Sequence, residues 1–415
     1  MTKLHVKNIT ATRLVIFAIF LILPLIIFNT VLTTPIKLPT DAYYHLSRIS
    51  NLSGNSLAFL YPQNFQTLGQ FGVATNIFYP AASFQLLMFF LPHLGIITTY
   101  KLLIFLNIEL LLFSTYFTVS FAKVKNEFYK ATFSILFTLS ISISTGFIAL
   151  GESLAFVGIP WLTLGLWLLN NPQKNKKASC FFITLGLSIP AFSHLMTFLF
   201  LSIFTLIYFL ILLIKTSNKI AVARIGIFSA LTSLFSCLGS IIPIFVINHL
   251  NNVKPPVVDL RQFETSFISA NKFFSFSDNL DSFAIVFIVI IFFFLKIRPQ
   301  LGSIMGIVMT LLGTDLFSWS QLMKHSALQT MQMPARLFRP GLGITLMFCF
   351  FSLALSNNKL SKSWFKSTLT ILLMFLTINT TSAIRSNLFP DIKENGKFEV
   401  MTQNIVNMGV TQHIG

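Results

Sequence analysis

Twelve separate apolar stretches, each long enough to enter or cross a hydrocarbon core, constrain this chain more than any other feature. They lie at about 14–34, 77–95, 101–121, 131–148, 154–170, 179–195, 196–214, 224–247, 283–297, 300–317, 340–356 and 367–384. Lipid offers no partner to backbone N–H and C=O groups, so a chain built this way is predicted to be an all-α, polytopic integral membrane protein. Composition agrees: 10% of the residues are charged, where a soluble domain carries roughly 25%. The first stretch is too long for a signal peptide and has no small-residue cleavage site, so it reads as a retained helix. The three cysteines, Cys180, Cys237 and Cys349, all lie in apolar runs, so neither a disulfide nor a thiolate metal site is expected.

A formal net charge of +17 would suggest nucleic acid in a soluble protein, so the placement of the charges decides. Six short basic segments alternate with the apolar stretches: Lys3 to Arg13, Lys123 to Lys130, Lys174 to Lys177, Lys215 to Arg224, Lys296 to Arg298 and Lys359 to Lys366. Together they contain one acid, Glu127. Placing all six in the cytoplasm satisfies the positive-inside rule and explains the basic balance without any nucleic-acid partner. The first helix then ends outside while the Lys123 segment is inside, so only one of the stretches 77–95 and 101–121 can cross. Pro80 and Pro92 bracket the first of these and Gly95 closes it, so it is expected to lie along or dip into the bilayer. The prediction is eleven spans plus this interfacial helix, with the N-terminus inside and the C-terminus outside. Residues 1–384 form a single membrane domain with a first external loop at 35–100, and a short external tail follows at 385–415.

Polar residues concentrate on the predicted outer side. The first loop opens Asp41-Ala42-Tyr43-Tyr44-His45-Leu46-Ser47-Arg48-Ile49, a short helix capped by Thr40 that puts Asp41, His45 and Arg48 on one face at i, i+4 and i+7. A carboxylate there could take a proton from a hydroxyl, and a guanidinium could hold a phosphate by two parallel hydrogen bonds. An ordinary surface helix with an Asp on its dipole fits the same spacing. Glu152 sits in a predicted short turn, as a site acid or as an acid at a helix start. His194 sits in the next outer turn, as a base or as a polar turn residue. Arg336 and Arg339 stand at i and i+3 at the mouth of a span, which suits a phosphate or lipid headgroups. Glu109 falls within a span, where an ionised group must be paired, or protonated and facing the bundle. No GxxxxGK[ST], HExxH, dinucleotide fingerprint or CxxC is present.

Several short motifs occur in order: the Asp41 to Ile49 segment, Tyr79-Pro80, Lys101-Leu102, Leu150-Gly151-Glu152-Ser153-Leu154-Ala155, His194 and Gln332-Met333-Pro334-Ala335-Arg336. With this order the chain resembles the bacterial membrane proteins labelled 6-pyruvoyl-tetrahydropterin synthase-related, which are similar to YfhO-like proteins and to the GT-C glycosyltransferase superfamily. The resemblance implies an enzyme of the bacterial plasma membrane. It would transfer a sugar, on the outer face, from a polyprenyl-phosphate donor to an envelope glycan, lipid or polymer. It implies a catalytic set of Asp41, His45 and Glu152, with Arg48, Lys101, His194, Arg336 and Arg339 on the substrate side and 77–95 as a jaw helix. It implies no redox cofactor and leaves a divalent metal at Asp41 as an open alternative to general-base chemistry. Met333 and Ala335 stand where the family's late motif carries aromatics. The readings of a different class are a transporter or flippase of lipid-linked glycans, and a non-catalytic envelope scaffold.

Overall fold

The computed structural model describes residues 2–33, 91–122, 126–142, 150–170, 172–251, 287–317 and 334–355, with isolated positions between them and a part of 366–377. Among these residues the chain is all-helical and contains no strand. In chain order the helices are α1 (Thr2–Thr33), α2 (Ile96–Phe121), α3 (Glu127–Ser142), α4 (Leu150–Phe156), α5 (Gly158–Leu168) and α6 (Pro172–Ser193). They are followed by α7 (Leu195–Lys215), α8 (Lys219–Asn251), α9 (Leu301–Leu312) and α10 (Phe338–Leu355). Four of them, α2, α7, α8 and α10, are long and apolar enough to cross a membrane. An all-helical, lipid-compatible architecture therefore stands.

Several boundaries differ from those read in the sequence, for one reason. Apolar windows find hydrocarbon-compatible residues, whereas a helix continues through flanking Lys and Arg, which are good helix formers. Thus α6 takes in Lys174 to Lys177 and α8 takes in Lys219 to Arg224. Glu152, predicted in a turn, lies instead in the first turn of α4, where a carboxylate favours the dipole. The stretch at 283–297 contains a π-helical segment, Ile290–Phe294. At Gly95, φ is 74°, a conformation that glycine adopts without steric cost, and there the short helical turn Leu91–Leu94 gives way to α2. The break separates the two apolar stretches that the charge argument had set against each other. Most of 77–95 itself lies outside the described residues.

Helix directions alternate. Phe17 and Phe20 of α1 pack edge-on against Phe113 and Tyr116, while Arg13 reaches Glu127, so α1 runs antiparallel to α2. The pairs Asn107 with Ser153 and Ser114 with Val157 run α2 alongside α4 and α5 in the same direction. Gly158 faces Pro190, Gly165 faces Ile183 and Gly186 faces Leu162, which fixes α5 antiparallel to α6 at backbone contact. Hydroxyl pairs at 2.6 Å, Thr184 with Thr232 and Ser188 with Ser236, join α6 to a parallel α8. Gly306 and Gly341 bring α9 against an antiparallel α10 in the same manner as α5 and α6.

The centre of the bundle is α10. Of its apolar window 94% is buried, against 17% for α8, which therefore lies at the periphery. Aromatic rings fill the space around α10: Phe350 stacks on Phe133 of α3 at 4.4 Å, Phe348 lies 5.9 Å from Tyr208 of α7, and Phe351 lies 5.3 Å from Trp167 just above the end of α5.

One end of the bundle carries a charged lock. Glu127 accepts from Arg13 Nε at 3.1 Å, from Lys130 Nζ at 2.8 Å and from the Tyr116 hydroxyl at 2.5 Å, tying α1, α2 and α3 together. Burial by itself would raise the Glu127 carboxyl. The hydrogen bonds from Lys130, Tyr116 and Arg13 outweigh it and hold the group below its ordinary value. With its partner gone, Lys130, whose side chain is 8% exposed, is left as a buried unpaired cation. Glu127→Ala is therefore expected to cost about 3 kcal/mol. Glu127→Leu combined with Lys130→Met should recover most of that loss in a detergent thermal-unfolding series, and a double variant as unstable as the single one would contradict this account.

Candidate functional site

At the opposite end, three side chains distant in sequence meet. Glu152 stands in the first turn of α4. That turn is held to α2 by the neighbouring Ser153, whose hydroxyl accepts from Asn107 Nδ2 at 2.9 Å; both residues are buried. His194 is the single residue between α6 and α7. It adopts an extended backbone, with φ −152° and ψ 101°, and caps α7. The Thr197 backbone N–H donates to His194 Nδ1 at 3.3 Å, and the Thr197 hydroxyl lies 2.8 Å from the same nitrogen. An Nδ1 that accepts a backbone N–H leaves the proton of the neutral ring on Nε2, the nitrogen not used by the cap. Arg336 lies in the 3-10 turn Pro334–Leu337 that opens α10. That turn is held because Gly313, at the end of α9, lets the backbone of Phe338 come into contact.

The electrostatics tie the three together. His194 is held below the ordinary imidazole value of 6.5 chiefly by burial; the Glu152 carboxylate pulls it back up and the Arg336 guanidinium pushes it down. A half-buried imidazole with its Nε2–H directed away from the cap, flanked by one anion and one cation, can exchange hydrogen bonds with a bound hydroxyl or phosphate. Arg339 follows at i+3 from Arg336, within the first turn of α10. The arrangement offers an anion-holding face beside a carboxylate.

The other sequence candidates fall elsewhere. Arg48 is 2% exposed and its Nη2 donates to the Pro80 carbonyl at 3.4 Å. It therefore ties the first loop to the start of the 77–95 stretch. Lys101 is part-buried within the second turn of α2. Asp41 and His45 lie outside the described residues. Glu109 is 6% exposed on α2, and neither of its carboxylate oxygens has a hydrogen-bond partner. It faces the bundle unpaired, which disposes of the paired reading. Among the described residues no group of three or more His, Cys, Asp or Glu side chains could hold a metal ion. Glu152 and His194 supply two donors of the right kind beside the cationic Arg336, so the described part of the site does not fit a divalent metal on its own.

Sequence reasoning missed the Glu127 lock at the other end. Its signal was present: one acid in segments otherwise wholly basic. It also left Glu152, His194 and Arg336 as three separate observations, because nothing in a linear spacing of forty residues and more says that two helix starts and a 3-10 turn share one end of a bundle.

No family model matches the chain, and no curated protein matches it.

Proposed function

We propose that the chain is a GT-C-like integral membrane glycosyltransferase with eleven spans, its N-terminus cytoplasmic and its C-terminus external. It would take a sugar from a polyprenyl-phosphate donor on the outer face of the bacterial plasma membrane and pass it to an envelope glycan, lipid or polymer. The observation that carries this reading is the convergence of Glu152, His194 and Arg336 at the bundle end opposite the Arg13, Glu127 and Lys130 lock. The positive-inside rule puts that lock in the cytoplasm and the convergent site outside.

In this reading the acceptor hydroxyl attacks the anomeric carbon of the donor. Asp41 takes the hydroxyl proton as the new glycosidic bond forms, and the bond from sugar to phosphate breaks. The polyprenyl phosphate leaves with its electron pair and its added negative charge, which Arg336 and Arg339 stabilise by charge-assisted hydrogen bonds. His194 donates from Nε2 to the same phosphate, while His45 and Glu152 shape the acceptor side.

The test compares envelope glycans by mass spectrometry in cells lacking the gene, complemented with the native chain or with Asp41→Ala at equal expression. The native chain should restore a sugar modification and Asp41→Ala should not. Equal restoration by both would remove Asp41 from catalysis. A second reading, a transporter of lipid-linked glycans, is favoured by the buried, unpartnered Glu109. It predicts that Glu109→Gln abolishes the phenotype while Asp41→Ala leaves it intact.

A further inference from the structure

A crevice of about 560 Å³ runs between α7 and α8, with Ile183 and Leu187 of α6 at its back, a size within the roughly 300–1,000 Å³ of small-molecule sites. Its walls extend from Phe198 to Leu213 on α7 and from Ala223 to Ile241 on α8. At 1.5 Å per residue these are lengths of about 22 Å and about 27 Å, close to the whole hydrocarbon thickness of about 30 Å. A phospholipid acyl chain belongs to one leaflet, about half of that depth. A helix about 10 Å across and as long as the crevice would need roughly three times its volume, so a second protein segment does not fit.

The polar groups of α8 divide into two sets. Those turned to α6 are satisfied: Thr232 donates to the Phe228 carbonyl and meets Thr184, and Ser236 meets Ser188. Ser229 and Ser233, 2% and 5% exposed and one turn apart, line the crevice instead, and neither hydroxyl has a hydrogen-bond partner. Serine in a helix ordinarily bonds back to a carbonyl one turn earlier, so two successive orphans on the crevice wall mark a place where a ligand supplies the acceptor. Gly226 keeps the wall open, because a Cβ there would come within 3.2 Å of the Phe209 ring. At its outer end the crevice stops at Phe198, whose N–H donates to the His194 carbonyl at 3.1 Å. It therefore opens one helical turn below the site of Glu152, His194 and Arg336.

We infer that this crevice holds the hydrocarbon tail of a polyprenyl phosphate whose head lies against His194, Arg336 and Arg339. The placement of the head rests on the transferase reading above; the placement of the tail does not. A single chain long enough to pass the bilayer midplane matches the length of the crevice. Its repeated double bonds present π electrons to the two serine hydroxyls, which a saturated acyl chain cannot do.

The test uses the purified full-length chain in detergent and native mass spectrometry, with long-chain polyprenyl phosphate, farnesyl phosphate and phosphatidylglycerol as probes. The native chain is expected to retain the long-chain lipid at least tenfold better than farnesyl phosphate. Ala230→Leu with Ser233→Leu, apolar replacements that fill the crevice, should bring that ratio to about one with farnesyl phosphate retention unchanged. Leu231→Ala, on the exposed face of α8, should leave the ratio as in the native chain. An unchanged ratio in the filled variant, or equal retention of phosphatidylglycerol by the native chain, overturns the proposal. Should the filled variant misfold, a photoreactive polyprenyl phosphate on the native chain decides, since labelling must fall on the crevice walls of α7 or α8. Loss of the ratio in the filled variant together with unchanged glycans in the complementation assay would retain the tail site and reject the transferase.

Discussion

Arg336→Gln is expected to lower kcat/KM for the lipid-linked donor by about 10²–10³-fold, the usual cost of removing one donor aimed at developing charge in a water-poor site. The same change should leave a second, independent mark. Arg336 pushes the His194 imidazole down, so removing it lets that group rise towards 6.5. Glu152 pulls it up, so Glu152→Gln should drive it lower still. A histidine held below its unfolded value binds fewer protons when folded than when unfolded. Its contribution to stability is therefore complete above about pH 6.5 and is lost as pH falls below that value. Thermal unfolding in detergent between pH 7.5 and about pH 5 should show a shallower acid loss for Arg336→Gln and a steeper one for Glu152→Gln, with His194→Gln flattest. Parallel curves for all four proteins would mean that the three residues do not form one electrostatic unit.

Gly186→Leu should prevent stable assembly of α5 with α6, at a cost on the order of 3 kcal/mol or more, the upper end of overpacking. A Cβ on Gly186 would fall on the backbone N and Cα of Leu162, and no side-chain rotation relieves a clash with backbone. Neither helix can retreat. Leu162 and Ile159 are fully buried on the other side of α5, and α6 is tethered to α8 by two hydroxyl pairs. Gly239→Ala is the matched control on α8. Its Cβ would meet only the Phe192 ring, at 3.6 Å, an ordinary contact, and the higher helix propensity of Ala makes the change neutral or stabilising by up to about 1 kcal/mol. A Gly186→Leu protein with a Tm within a few degrees of the native one would show that α5 and α6 do not approach at backbone contact. The site would suffer with the fold, since α4 and His194 sit at the outer ends of these same two helices.

The positions of most helices were legible because lipid-compatible helices announce themselves as apolar runs, and every described helix overlaps such a run or continues one into its charged flank. Helix ends were less legible: Lys219 to Arg224 are invisible to an apolar window yet extend α8 by a turn and a half. Two of the three convergent site residues could be located from local signals alone. His194 follows Pro190 and Ser193 at the junction of two apolar runs, and Glu152 precedes another. That Arg336 joins them depends on the Gly306 and Gly341 contact that sets α9 against α10, and spacing along the chain holds no trace of it.

From its sequence alone this chain was bound to be helical and membrane-compatible, with its basic segments gathered at one set of helix ends, because backbone satisfaction in hydrocarbon and the segregation of charge are both local requirements. The tertiary structure decided which ends meet. It brought Glu152 and Arg336 to opposite sides of one imidazole, closed Glu127 among Arg13, Lys130 and Tyr116, and left Ser229 and Ser233 facing an open crevice while their neighbours were satisfied against α6. Those outcomes depend on side-chain volume at helix crossings, above all on the glycines of α5, α6, α9 and α10, and close packing of that kind is a property of pairs of helices rather than of either one.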